Sequence, residues 1–106
     1  MGFEGTWNWN GLENTFNTQT GVITKTNTTG IIIIEKTADK FYKVTITGST
    51  FSYTNILFYN NDQITGEIIP NVNCIFYFKN KCNLHEKFID TTSSTQTYFA
   101  DFKLYR

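Results

Sequence analysis

Gly30 to Gly48, GIIIIEKTADKFYKVTITG, limits the possible folds more than any other stretch of this chain. Ile31 to Ile34 are β-branched throughout, and Tyr42, Val44 and Ile46 alternate with Lys43, Thr45 and Thr47. That is the side-chain period of a strand. Ala38, Asp39 and Lys40 supply a polar turn between the two halves, so the stretch reads as a β-hairpin.

Charge selects the register of this hairpin. With Ala38 to Lys40 as the loop, Thr37 faces Phe41, Glu35 faces Lys43, and Ile32 and Ile34 face Ile46 and Val44 on the buried side. Pairing Thr37 with Lys40 instead places Glu35 beside Tyr42 on the apolar face. It discards a cross-strand ion pair worth roughly 0.2–1 kcal/mol and buries a carboxylate. In either register isoleucine stands on both faces, so another element or another chain is expected to cover the outer face.

A chain of 106 residues is read as one domain spanning residues 1–106. Ten Phe, six Tyr and many Ile and Thr favour strands, whereas Ala and Leu are scarce. The abundance of Asn, Ile, Lys, Thr and Phe is also what an AT-rich genome produces, so Asn richness carries little weight. Nine basic and nine acidic side chains balance, with neither sign in a long run. There is accordingly no general footprint for nucleic acid or an anionic membrane. No apolar stretch is long enough for a membrane span, and the first residues lack the regions of a signal peptide. The expectation is an intracellular soluble or particle-associated protein, or a mature form whose leader has been removed. Met1 to Thr6 formally fits the myristoylation pattern, but Phe3 directly after Gly2 suits it poorly and the start of a strand is the reading taken.

In chain order, a strand is expected over about Phe3 to Trp9, with both tryptophans on one face. Gly11 to Thr20 is turn-rich, a loop or one helical turn, and Gly21 to Thr26 is a short strand ended by a turn at Asn27 to Gly30. After the hairpin, Gly48-Ser49 suits a tight turn with glycine at the first central position. Thr50 to Tyr59 then places Phe51, Tyr53, Leu57 and Tyr59 on one face. Further strands are expected at Gln63 to Ile69, where Gly66 marks a bulge or close approach, at Val72 to Phe78, at Asn83 to Asp90 and at Thr97 to Tyr105. Eight or nine strands with short links make an all-β antiparallel meander, a closed or partly open barrel, with a β-sandwich as the alternative.

Gly5-Thr6-Trp7 resembles the start of the calycin barrels, the lipocalins, fatty-acid-binding proteins and avidins, whose first strand begins Gly-x-Trp. In many of these families the tryptophan packs at the closed end of the barrel against a basic residue near the last strand, and this chain ends Lys103-Leu104-Tyr105-Arg106. The resemblance implies a closed meander barrel that binds a small apolar molecule. Trp7, Trp9, Tyr42 and Tyr53 are the candidate ligand contacts. With the two end strands antiparallel and fully paired, Trp7 is expected opposite the middle of the last strand, so that reaching Arg106 needs a stagger.

Cys74, Cys82, His85, Glu86 and Asp90 are the candidates for a metal or nucleophilic site. Cys82 and His85 have ligand-like spacing, but residues three apart on a strand face opposite sides, so neither a metal site nor a Cys–His nucleophile is expected. The bland alternative is a partly buried thiol pair beside a surface histidine. No motif brings two carboxylates together. Phe76 to Lys81 sets aromatics beside lysines, as in single-strand-binding barrels, but alternation exposes Tyr77 alone. This weighs against nucleic acid. The expected function is non-enzymatic and needs no cofactor: an interaction or structural module acting through Ile31, Ile33, Ile75 and Tyr77, self-associating or part of an assembly such as a virus particle. The alternative is a calycin-like binder of a small apolar ligand, and a lesser alternative is single-stranded nucleic-acid binding.

Overall fold

A computed structural model describes residues 2–106; Met1, which opens the myristoylation pattern, lies outside them. Eight antiparallel strands form one closed barrel in sequence order: β1 (Gly5–Asn17), β2 (Ile23–Ala38), β3 (Phe41–Gly48), β4 (Ser52–Asn60), β5 (Gln63–Ile69), β6 (Val72–Asn80), β7 (Asn83–Asp90) and β8 (Gln96–Tyr105). The all-β meander barrel is as the alternation indicated, and closure removes the sheet edges that a sandwich leaves open.

The β2–β3 hairpin has the register that charge selected, with Glu35 opposite Lys43, Ile34 opposite Val44 and Ile32 opposite Ile46. The four apolar partners are all buried. Two details differ. The turn is the two residues Asp39 and Lys40, the latter at φ 65°, and a bulge between Lys36 and Ala38 pairs Phe41 with Ala38 instead of Thr37. Glu35 and Lys43 are both exposed and do not come within ion-pair distance among the described residues, so the water around them outweighs their attraction.

The first two strands are longer than expected. Gly11 to Asn17 continues β1, and Asn27 to Gly30 is part of β2 rather than a turn. The asparagines that suggested turns instead bond across the strands: Lys25 Nζ donates to Asn14 Oδ1 at 2.6 Å, and Asn27 Nδ2 donates to Asn10 Oδ1 at 3.0 Å. The actual turn follows Asn17, whose side-chain oxygen accepts from the backbone N–H of Gln19 and Thr20, and Gly21 takes φ 75°. Gly30 is required for room. It lies opposite Trp9, and a Cβ there would sit 2.1 Å from the indole ring.

Gly48 is likewise not a central turn residue. Its N–H donates to the carbonyl of Phe51 across Ser49-Thr50, and the Phe51 ring covers its Cα. Asn61 and Asp62, at φ 51° and 62°, turn β4 into β5 as a pair of left-handed residues, the geometry that matches strand twist. β4 and β5 then pair only from Phe58 to Asn60, and beyond that Asn55 Nδ2 reaches the Glu67 carbonyl at 2.7 Å. Gly66, at φ 152°, comes close to Leu57 in this seam, the close approach expected of it.

The barrel is filled at the end that carries both termini. Phe3 packs among Tyr42, Tyr59 and Phe78 with ring centroids 5.0–6.0 Å apart, and its carbonyl accepts from Trp7 Nε1 at 2.9 Å. The Arg106 guanidinium lies 4.1 Å from the Trp7 ring centroid and donates to the Glu4 carbonyl. No stagger is needed, because β1 runs to Asn17. Trp9 pairs with Leu104 and Asn8 with Tyr105, which puts Trp7 level with Arg106. At Gly5, φ is 134° and a Cβ would stand 2.6 Å from Arg106 Nη1, so the glycine of Gly-x-Trp makes room for the arginine. The barrel is thus compatible with a calycin-like small barrel.

Deleting Arg106 should lower the melting temperature by the equivalent of roughly 0.5–2 kcal/mol and shift Trp emission to the red, since the guanidinium covers one indole face. Thermal melts with fluorescence detection test this; unchanged melting and emission would mean that the stack contributes nothing.

Candidate functional site

The other end of the barrel, ringed by the β1–β2, β3–β4, β5–β6 and β7–β8 connections, is not filled. Between them opens a cavity of about 510 Å³, floored by Cys74 and Glu86 and walled by Trp9, Phe88, Phe102 and Tyr53. Alternation delivers these side chains. On β7, Leu84, Glu86, Phe88 and Asp90 point inward while His85, Lys87 and Ile89 point outward. Trp9 is oriented by its indole N–H, which donates to Thr28 Oγ1 at 3.0 Å, and it stacks on Phe102 at 5.8 Å.

Glu86 is the unusual member. It is 4% exposed and is the only charged residue in the buried core of the described residues. Burial pushes its carboxyl up to about 7, against a smaller downward pull from a hydrogen bond with Cys74. Burial, then the adjacent Glu86, pushes the Cys74 thiol far up, so it stays protonated and is a poor nucleophile. Glu13 and Asp90 stand at the rim. Glu13 is raised by partial burial and then by the Asp90 charge. Three carboxylates therefore face one cavity whose lining, among the described residues, contains no Lys, Arg or His.

The residues singled out from sequence fall in separate places. Trp9 and Tyr53 line the cavity. Trp7 and Tyr42 are buried in the filled end, in contact with Arg106 and Phe3 respectively. Ile31 and Ile33 are exposed at 44% and 38% on the outside of β2. Ile75 and Tyr77 are half-buried on the outside of β6, where Ile75 helps line a shallow groove with Ile89 and Phe99. Cys74 and Cys82 are free and well separated in character, one inside the barrel and one exposed in the β6–β7 turn, so they do not form a thiol pair.

His85 is tied to the outer face. Its Nδ1 lies 2.9 Å from Asp101 Oδ1, while the Tyr77 hydroxyl donates to Asp101 Oδ2 at 2.6 Å. Burial and the Asp101 carboxylate push the Tyr77 phenol up to about 12. Burial alone would raise Asp101, but the hydrogen bonds from Tyr77 and His85, with Lys87 nearby, outweigh it and hold the carboxyl below its ordinary range. This cluster ties β6, β7 and β8 together across the outside.

Sequence reasoning missed the carboxylate cavity. Sequence alone places Glu86 and Asp90 among candidates for a metal or nucleophilic site, and Glu13 in a stretch that reads as a loop or one helical turn. The available signal was the inward series Leu84, Glu86, Phe88, Asp90, in which a carboxylate takes an apolar position. No protein-family model matches the chain, and no curated protein matches it.

Proposed function

We propose that this chain binds a small molecule in the open end of its barrel. The observation that supports this is the division of the interior. Aromatics pack around Phe3 at one end, while the other keeps a cavity of about 510 Å³, within the roughly 300–1,000 Å³ typical of ligand sites. Its aromatic walls fit the same pattern, with a polar lining of threonines and the carboxylates Glu13, Glu86 and Asp90 beside them, and the resemblance to calycin barrels points to the same use. No helix among the described residues is long and apolar enough to cross a membrane.

Native mass spectrometry of the purified protein, together with titration of a neutral environment-sensitive dye, tests this reading. The expected result is a bound small molecule or one dye per chain, with quenching of Trp9 emission. The reading is refuted if no small molecule co-purifies and neither this dye nor a cationic analogue of it binds at millimolar concentration.

A second reading as an interaction module has its own support. Ile31, Ile33, Phe41, Ile56 and Phe58 are all exposed on the outward side of β2, β3 and β4, and Phe41 packs on Phe58 at 5.6 Å. If this face joins two copies, the chain will sediment as a dimer at high micromolar concentration and Ile33→Lys will give a folded monomer. A monomeric unaltered protein would dismiss that reading.

A further inference from the structure

We propose that the ligand of this cavity is a cation, a small organic amine with an aromatic or apolar body, whose ammonium group pairs with Glu86 on the floor while Glu13 and Asp90 draw it in from the rim. This rests on the cavity-binding reading above and names its ligand class. Glu86 is almost wholly buried yet lines the cavity, with the Cys74 thiol as its hydrogen-bonding neighbour and no cationic partner among the described residues. An apolar ligand would remove its last access to water and give it nothing in exchange. An anion would meet three carboxylates with no positive charge in the wall. An ammonium group resolves both conflicts, since it supplies charge-assisted hydrogen bonds to the carboxylate.

The walls fit the rest of such a molecule. Trp9 and Phe102 form a stacked pair, Phe88 packs on Phe102 at 5.9 Å, and Phe51 stacks on Tyr53 at 5.0 Å near the mouth. Aromatic faces attract both a flat apolar body and the positive charge attached to it. The rim charges add an attractive field at the entrance, which favours entry of a cation over any neutral analogue.

Three probes with the same ring and different charge test this: 2-phenylethylamine, 2-phenylethanol and 3-phenylpropionate, titrated at pH 7.5 by Trp fluorescence and calorimetry. The amine should bind at least tenfold more tightly than the alcohol, and the propionate most weakly. In Glu86→Gln the preference for amine over alcohol should shrink to about threefold or less. Should that variant fold poorly, the rim double variant Glu13→Gln/Asp90→Asn should reduce the same ratio. An amine bound no more tightly than the alcohol, or a preference unchanged in both variants, would overturn the cation assignment while leaving a ligand-binding barrel. If none of the three probes binds, neither dye binds and no small molecule co-purifies, the cavity-binding reading falls with it.

Discussion

The unaltered protein should be more stable at pH 5 than at pH 8 by of the order of 3 kcal/mol, and Glu86→Gln should remove most of that difference. Burial holds the Glu86 carboxyl up to about 7, whereas the unfolded chain ionises near the ordinary value of 4.5. Between those values the folded protein keeps a proton that the unfolded chain releases, so stability falls as pH rises. It is fully present below about 4.5, is lost through the window up to about 7, and is level above it. At about 1.36 kcal/mol for each tenfold change in proton affinity, the difference amounts to about 3 kcal/mol.

The neighbours of Glu86 leave this direction in place, since the hydrogen bond with Cys74 pulls the carboxyl down by less than burial raises it. The Cys74 thiol on β6 stays protonated, Phe102 on β8 is apolar, and Glu13 on β1 is raised too, which leaves a smaller slope of the same sign in the variant. Asp101 acts oppositely. Its carboxyl is held low, so its contribution is lost as pH falls below the ordinary Asp range, under the window of interest. Urea unfolding at pH 5, 6, 7 and 8 for both proteins checks this. Parallel curves with no narrowing of the gap would mean that Glu86 is not desolvated as the fold indicates.

A buried carboxylate that destabilises the fold at neutral pH bears on function. A chain that needed only a solid barrel would gain from an apolar residue between Leu84 and Phe88. Destabilising groups are retained most often where they act on a ligand. The cost of Glu86 and the unfilled end of the barrel occur at one place, which links the stability argument to the proposed amine site.

Most of the fold was legible because alternation is strict wherever one face meets the core. β5 and β7 begin and end where their apolar period and flanking turn residues place them, and Trp7 and Trp9 share the inward face. The extensions of β1 and β2 were hidden because Asn, Thr and Gly bias a chain towards turns when read locally. Here their side chains bond across a long hairpin, as between Asn10 and Asn27, 17 apart in sequence. That single misreading also concealed half of the site. Glu13 points into the barrel only if the strand continues past Gly11, and the level of Trp7 against Arg106 depends on the same continuation. Nor could alternation separate Trp7, in the filled end, from Trp9, in the cavity wall, since that depends on where Phe3 and Arg106 close the barrel.

Ile34→Ala should cost roughly 2–5 kcal/mol, while Lys43→Ala, its diagonal neighbour on the outer face, should cost under about 1 kcal/mol. Ile34 is fully enclosed, paired with Gly5 on one side and Val44 on the other, in a layer of buried side chains that includes Ile32 and Leu57. Removing its three terminal carbons leaves a void that β-strands held on both sides cannot collapse to fill. Lys43 is exposed and its ammonium makes no ion pair with Glu35 among the described residues, so truncation loses only a solvated charge and some strand propensity. For a domain of this size each 1 kcal/mol shifts the melting temperature by roughly 4–8 °C. The isoleucine variant should therefore melt of the order of 10 °C or more below the lysine variant. Calorimetry of the two proteins decides the matter, and equal melting temperatures would mean that the β2–β3 register is shifted by one residue, with Ile34 turned outward.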